Sequence, residues 1–283
     1  MTDTPHITLG TQGSASNALK AAVDANAQCA LATANAADWL WMEAGQSQDA
    51  LMQAAGSGQN LVLQLPLKTS MANLKLLQQQ AQRSQCNIIG HAPLRTSPLV
   101  QWLVQALQQQ QLGRICLVEW NVFLNAKSAG NNPLESLLYP YLDLQQWLFG
   151  PISGINAEFA GRHKATGAEQ AGLISYRIDT EGIGMIAYTT QLWQQSMETS
   201  LVVLGEKGSI KLGGANLNRL EYCQGDATPP ANLSAATAEA NTVNWLVNGN
   251  HDNAFGLQDA LNTRELIERI YALRNEQHVR KTA

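Results

Sequence analysis

The chain has 283 residues, 45% of them hydrophobic and only 14% charged, with a formal net charge of −4. Soluble chains carry about 25% charged residues, so Gln, Asn, Ala and Ser must supply much of the polar surface here. No run of Lys and Arg offers an electrostatic footprint for nucleic acid or anionic lipid, and no apolar stretch approaches the roughly 20 residues of a membrane helix. Residues 1–10 lack a basic region followed by an apolar one, so a secretory signal is not expected. Cys29, Cys86, Cys116 and Cys223 are scattered, with no C-x-x-C pair. That spacing predicts buried, reduced thiols in a cytoplasmic protein rather than disulfides or metal ligands.

Residues 6–10 read as a short strand ending in Gly10. A helix follows over 14–27, with Ser14 or Ser16 as its N-cap. Residues 29–33 and 38–42 read as strands. A helix over 48–56 stops at the Gly56-Ser57-Gly58 break, and 60–65 is a strand closed by Pro66. Residues 70–85 form a helix given an apolar side by Leu74, Leu76 and Leu77. A strand over 86–89 precedes a helix over 97–112, with Pro98 in its first turn and Gly113 past its end. Strands alternating with helices imply βαβ units and a parallel sheet.

After Gly113 the texture changes. Residues 114–125 read as a long strand, and a helix over 134–149 stops at Gly150-Pro151. Strand-like segments then fall at 155–159, 171–178, 184–190, 200–204, 209–212 and 220–223, several separated by glycine-bearing turns. Residues 225–240, rich in Pro, Ala and Thr, read as loop. Leu261, Leu266, Ile267, Ile270 and Leu273 give 257–274 a helical period. The expected fold is α/β plus α+β. A shortened Rossmann-like parallel-sheet domain occupies 1–113. A large, mostly antiparallel open sheet with helices on one face occupies 114–255. A C-terminal helix over 256–283 packs back on the body.

Several segments carry a resemblance. One is Leu204-Gly205-Glu206-Lys207-Gly208-Ser209-Ile210-Lys211-Leu212-Gly213-Gly214, followed by Asn216-Leu217-Asn218-Arg219-Leu220-Glu221. Others are Tyr141-Leu142-Asp143-Leu144-Gln145-Gln146-Trp147-Leu148-Phe149-Gly150, the stretch 60–67 and the closing helix. In joint order and spacing, over about residues 36–275, they resemble the glucose-fructose oxidoreductase / inositol dehydrogenase family, nearest its branch acting on nucleotide sugars.

The resemblance implies three working parts. They are a glycine-rich turn that lets a dinucleotide pyrophosphate approach a helix N-terminus, a lysine beside the nicotinamide, and a histidine for acid–base chemistry at the oxidised hydroxyl. This sequence departs at each. The turn reads Gly10-Thr11-Gln12-Gly13-Ser14-Ala15-Ser16, which serves equally as a tight strand-to-helix turn or as a phosphate site. Gly10, Gln12, Gly13, Ser14 and Pro66 are its candidate cofactor contacts. The lysine position is Leu65 and the histidine position is Pro140, with Ser136 four residues before it. Tyr139, Tyr141 and Lys68 are the groups that could take over proton transfer. Their plainer readings are tyrosine packing and a solvated lysine. Arg95 matches a family arginine facing substrate and reads equally as a partner in an ion pair between domains. His163 and His251 read as surface histidines.

Between Gly10 and the strand over 38–42 there is room for one helix and one short strand. The resemblance places about forty more residues there, including a strand that ends in a ribose-binding acid, for which Asn35 and Asp38 are the nearest substitutes. A further shortening falls between Phe255 and Gly256. The expected function is that of a degenerate family member without dehydrogenase activity, acting by ligand binding or assembly. The alternative is an NAD(P)-dependent oxidoreductase on a sugar or nucleotide sugar, with relocated catalytic residues. The cofactor is NAD or NADP, if there is one. The expected partners are a small sugar-type ligand and further copies of the chain, joined through the β-sheet face, with no nucleic acid and no membrane.

Overall fold

A computed structural model describes residues 7–11, 16–43, 45–67, 69–125, 132–162, 168–179, 181–191, 195–230, 236–249 and 254–282. In chain order come β1 (Ile7–Thr11), α1 (Asn17–Asp24), β2 (Cys29–Leu31), a 3-10 turn (Ala34–Ala36), β3 (Trp39–Met42), α2 (Gln48–Gly56), β4 (Asn60–Gln64), α3 (Met71–Ser84), β5 (Ile88–His91) and α4 (Pro98–Gln108). Then follow β6 (Ile115–Phe123), a π-helical turn (Leu134–Leu138), α5 (Tyr139–Phe149), β7 (Ser153–Arg162), β8 (Glu169–Arg177), β9 (Ile183–Thr189), β10 (Glu198–Gly205), β11 (Gly208–Gly213) and β12 (Arg219–Gly225). The last are α6 (Ala238–Val247), β13 (Phe255–Gly256) and α7 (Leu257–Thr282). Two compact units divide the chain: Met1–Thr96 with Ala235–Asn262, and Ser97–Ser234 with Thr263–Ala283.

In the first unit the sheet order is β13-β5-β4-β3-β1-β2. Strands β1 to β5 pair in parallel, and β13 lies antiparallel on β5. The helices begin at hydroxyl caps, as their sequences suggest. Ser16, Ser47 and Ser70 each accept from the backbone N–H three residues on, at 3.2 Å, each stabilising its helix by about 1 kcal/mol. Strand alternation sorts the core. Leu9, Trp39, Trp41, Val62 and Ile89 face α1 and α6, whereas Leu40, Met42, Leu61 and Leu63 face α2 and α3. Sandwiched this way, β3 has no polar face, which explains its sequence Trp-Leu-Trp-Met.

In the second unit the order is β12-β11-β10-β6-β9-β8-β7. Every pair is antiparallel except β6 with β9. Helix α5 lies on one face, where Trp120 Nε1 donates to Gln145 Oε1 at 2.8 Å and the Tyr141 ring meets Trp120 edge-on. Trp120, Ile174, Ile186, Leu201 and Leu212 on that face are fully buried, whereas Leu173 and Ile183, of opposite parity, are exposed. Arg274 of α7 reaches the buried Glu169 carboxylate at 2.9 Å.

Several expectations need correction. The loop predicted over 225–240 gives way at Ala238 to α6, whose Thr237 cap accepts from Ala240 N; its apolar side, Ala240, Val243, Leu246 and Val247, has helical spacing but follows directly on a Pro-, Ala- and Thr-rich stretch. The strand predicted over 86–89 is β5, two residues later. Cys86 instead closes α3, its N–H bonding Ala81 O behind a left-handed Gln85. The helix predicted over 134–149 opens as a π turn, because Pro140 lacks an N–H and its ring crowds the carbonyl of residue 136. Of the two candidate caps for α1, Ser16 acts; Ser14 lies outside the described residues. All four cysteines are free thiols, but only Cys29 and Cys86 are buried, Cys116 being exposed on β6. Among the described residues, no helix is long and apolar enough to cross a membrane.

His91 ends β5 almost fully buried, its ring tilted 4.9 Å from that of Trp41. Thr242 Oγ1 donates its proton to Ala238 O at 3.0 Å. It must therefore accept from His91 Nδ1, 2.9 Å away. Burial lowers the His91 pKa to about 4, with the Glu239 carboxylate opposing. An unfolded histidine titrates near 6.5, so between these values the unfolded chain binds more protons. The contribution is whole above pH 6.5 and falls with pH until about 4. At about 1.4 kcal/mol per unit, the full loss is on the order of 3 kcal/mol. Urea unfolding measured across this window should show that fall in the native protein. His91→Gln should flatten it, and an unchanged slope would refute the assignment.

Candidate functional site

In sheets of this type ligands gather at the carboxyl ends of the strands, where the strand order reverses. Here the reversal lies between β1 and β3, with α1 on one face and α2 and α3 on the other. A cavity of about 370 Å³ opens one strand further on, at the ends of β3 and β4. Its described walls are the β3–α2 connection from Met42 to Gln48, the β4 end from Leu63 through Pro66 to Thr69, and the first turn of α3 to Asn73. Gln48 fixes its width: Nε2 donates to Asn73 O at 3.2 Å, and Oε1 accepts from Thr69 Oγ1 at 3.1 Å. Sequence reasoning singled out only Pro66 of these residues. Capping serines just beyond strand ends, Ser47 and Ser70, were the signal available for the rest.

Gly10 has a specific packing role. After β2 the chain crosses one face of β1 through Ala34–Ala36 and returns as β3. A Cβ on Gly10 would lie 2.9 Å from both Ala34 Cα and Ala37 Cβ. The crossing is pinned at two places. Gln59 Nε2 donates to Ala34 O at 2.6 Å and to Ala37 O at 2.8 Å. Asp38 Oδ2 accepts from Thr8 N and Thr8 Oγ1, both at 2.7 Å, and Asp38 N donates back to Thr8 Oγ1 at 2.9 Å. These bonds hold the Asp38 carboxyl below its usual pKa.

The other candidates fall in different places. The Leu65–Pro66 peptide is cis. A Cβ on Gly90 would lie 3.0 Å from Leu65 Cδ1 and 2.5 Å from Phe255 Cδ1, so Gly90 makes room for both. Arg95 is buried, its Nη2 3.2 Å from Asp259 Oδ1 and its guanidinium 5.2 Å from the Phe255 ring centre. In the second unit Tyr139 and Tyr141 are buried on α5. Burial raises the Tyr141 pKa, and a hydrogen bond with Thr199 opposes the rise. Gln12, Gly13, Ser14, Lys68, His163 and His251 lie outside the described residues. The structure thus brings Pro66 to the cavity, sets Gly10 against the crossing, and holds Arg95 in an ion pair. No group of metal-ligating side chains occurs among the described residues.

No protein-family model and no curated protein matches the sequence. Solved structures match it along nearly its whole length. The WlbA dehydrogenase from Bordetella pertussis, solved with NADH and UDP-GlcNAcA, is 20% identical, with 96% of this chain and 97% of that one covered at a TM-score of 0.77. The WlbA dehydrogenase from Chromobacterium violaceum, also with NADH and UDP-GlcNAcA, is 18% identical, with 98% and 96% covered at 0.77. An oxidoreductase from Agrobacterium radiobacter, with NAD+, L-tartaric acid and magnesium, is 13% identical, with 95% and 96% covered at 0.75. The fold class is therefore that of these oxidoreductases: one unit with a Rossmann-like parallel sheet, one with a mostly antiparallel sheet. At such identities the likeness is one of fold.

The crossing generates a test of what Gly10 is for. Gly10→Ala must displace backbone at Ala34, and should cost about 1–3 kcal/mol. Gln59→Leu strips two carbonyls of their donor and should cost a similar amount. Both should lower the urea midpoint without changing the slope. A neutral Gly10→Ala would return the glycine to a ligand-facing role.

Proposed function

We propose that this chain is a shortened member of the glucose-fructose oxidoreductase / inositol dehydrogenase family that does not transfer hydride and acts by ligand binding or self-assembly. The observation that carries this reading is at Gly10. The space a side chain on Gly10 would need is filled by the chain's own Ala34 and Ala37. The other described positions agree. Asp38, immediately before β3, is engaged by Thr8. Leu65, standing at the lysine position, has no proton to exchange, and neither has Pro140 at the histidine position. Residues 12–15 of the glycine turn lie outside the described residues; at the described positions Gly10, Asp38 and Leu65 the chain's own packing and hydrogen bonds take up the space or the polar groups, which supports this reading. A sheet face with Leu173 and Ile183 exposed supports association of copies through it.

The alternative is an NAD(P)-dependent oxidoreductase on a sugar or nucleotide sugar. It is favoured by the NADH and UDP-GlcNAcA in the two WlbA structures and by coverage of 96–98% of this chain. Fluorescence titration with NADH and NADPH decides between them. No saturable binding at millimolar cofactor is the expected result; saturable binding with substrate-dependent oxidation would overturn the proposal. For assembly, native mass spectrometry should show an oligomer that Ile183→Glu dissociates without unfolding the chain. A monomer would remove the assembly half of the reading.

A further inference from the structure

Beneath α5, in the second unit, three polar side chains meet in an otherwise apolar layer. Gln145 on α5 and Trp120 on β6 are fully buried, and Tyr176 on β8 nearly so. Ile174, Ile186, Leu201 and Val203 share that face of the sheet and are buried with them. Polar groups taken this far from water destabilise the fold unless they are hydrogen-bonded.

The indole of Trp120 can only donate. Its proton goes to Gln145 Oε1 at 2.8 Å. That bond fixes which way the carboxamide faces, because the reverse orientation would set two donors against each other. Gln145 Nε2 is then left with no acceptor among the described residues. The Tyr176 ring lies across Gly184, its pairing partner on β9, where a Cβ would stand 2.7 Å from the hydroxyl oxygen. This carries the hydroxyl toward β6, and there the Trp120 N–H opposes the rise that burial causes in the Tyr176 pKa. An indole leaves the phenol's own proton without an acceptor, and no other is in reach among the described residues.

Two orphan donors therefore flank one indole nitrogen. The aliphatic neighbours cannot accept, and the Tyr141 hydroxyl is engaged with Thr199. A charged acceptor would have to be stripped of water completely. Water itself has two lone pairs, one for each donor, and occupies buried sites where polar groups are otherwise unpaired.

We propose that a resident water molecule beneath α5 accepts from Gln145 Nε2 and from the Tyr176 hydroxyl, and so joins α5 to β8 across Trp120. This holds whether or not the chain binds a dinucleotide.

Tyr176→Phe tests the bridge by the sign of its effect. Removing a hydroxyl that has no partner raises stability, whereas removing one that is held by water lowers it. The expected result is a lower urea midpoint with an unchanged slope, the unfolding equilibrium constant rising about fivefold. A crystal structure of the unaltered full chain should show an ordered water within about 3.2 Å of both Gln145 Nε2 and the Tyr176 hydroxyl oxygen. A raised or unchanged midpoint, no water between the two side chains, or Gln145 and Tyr176 bonded directly to each other would each overturn the assignment. If Tyr176→Phe does not fold, the crystal structure of the unaltered chain decides alone.

Discussion

The crossing of residues 34–37 over Gly10 holds the parallel sheet in its observed order. The chain leaves β2 at the sheet edge and must reach the far side of β1 within a few residues. Only a bare strand position lets it pass this close. Thr8 and Asp38 then lock the register of β3 on β1, which matters because a one-residue slip would exchange the two faces of a strand. Trp39 and Trp41 would then press on α2 and α3, with Leu40 and Met42 on the α1 side. Gln59, immediately before β4, ties the same crossing to the next strand. The ends of β3 and β4 are where the cavity forms, so its floor at Met42 and Leu63 inherits this register.

The same local chemistry decides what could be read from the sequence. Most strands and the capped helices α1 to α3 were legible, because alternation, capping serines and glycine breaks act over a few residues. The missing elements depend on distant partners. Helix α6 is anchored by Val243 and Leu246, with Ala240 and Val247 beside them, in a core shared with α1 and β1, and this short helical spacing is masked by the loop-like composition just before it. The π turn before α5 required weighing a single proline against an otherwise helical pattern. Asp38 stood with Asn35 as a nearest substitute for a ribose-binding acid, and its partner, Thr8, lies thirty residues away. Arg95 pairs with Asp259 of the same unit and lies beside Phe255, partners too far along the chain for any local pattern to announce.

The cavity was the least legible part. Its lining has no motif, since amides and serines at strand ends are also ordinary loop residues. What forms it is the coincidence of two helix entries with two strand ends, joined by the Gln48 bridge. No spacing within the sequence encodes that coincidence, because β3, β4 and α3 come together only when the sheet closes.

The positions that the resemblance assigns to chemistry bear on how such a chain keeps its fold. Leu65 packs its Cδ1 over Gly90 beside Phe255, so a lysine there would bring a charged head against an aromatic edge or draw its stem out of that packing. Pro140 sits where the helix widens into a π turn, and a histidine there would favour regular α-helix and change how Tyr139 and Tyr141 enter the core. Gly10 is held by Ala34 and Ala37. Each of these residues contributes to packing or backbone geometry, so a lysine at 65, a histidine at 140 or any side chain at 10 would act against stability. Selection for a stable fold alone is then enough to retain these residues.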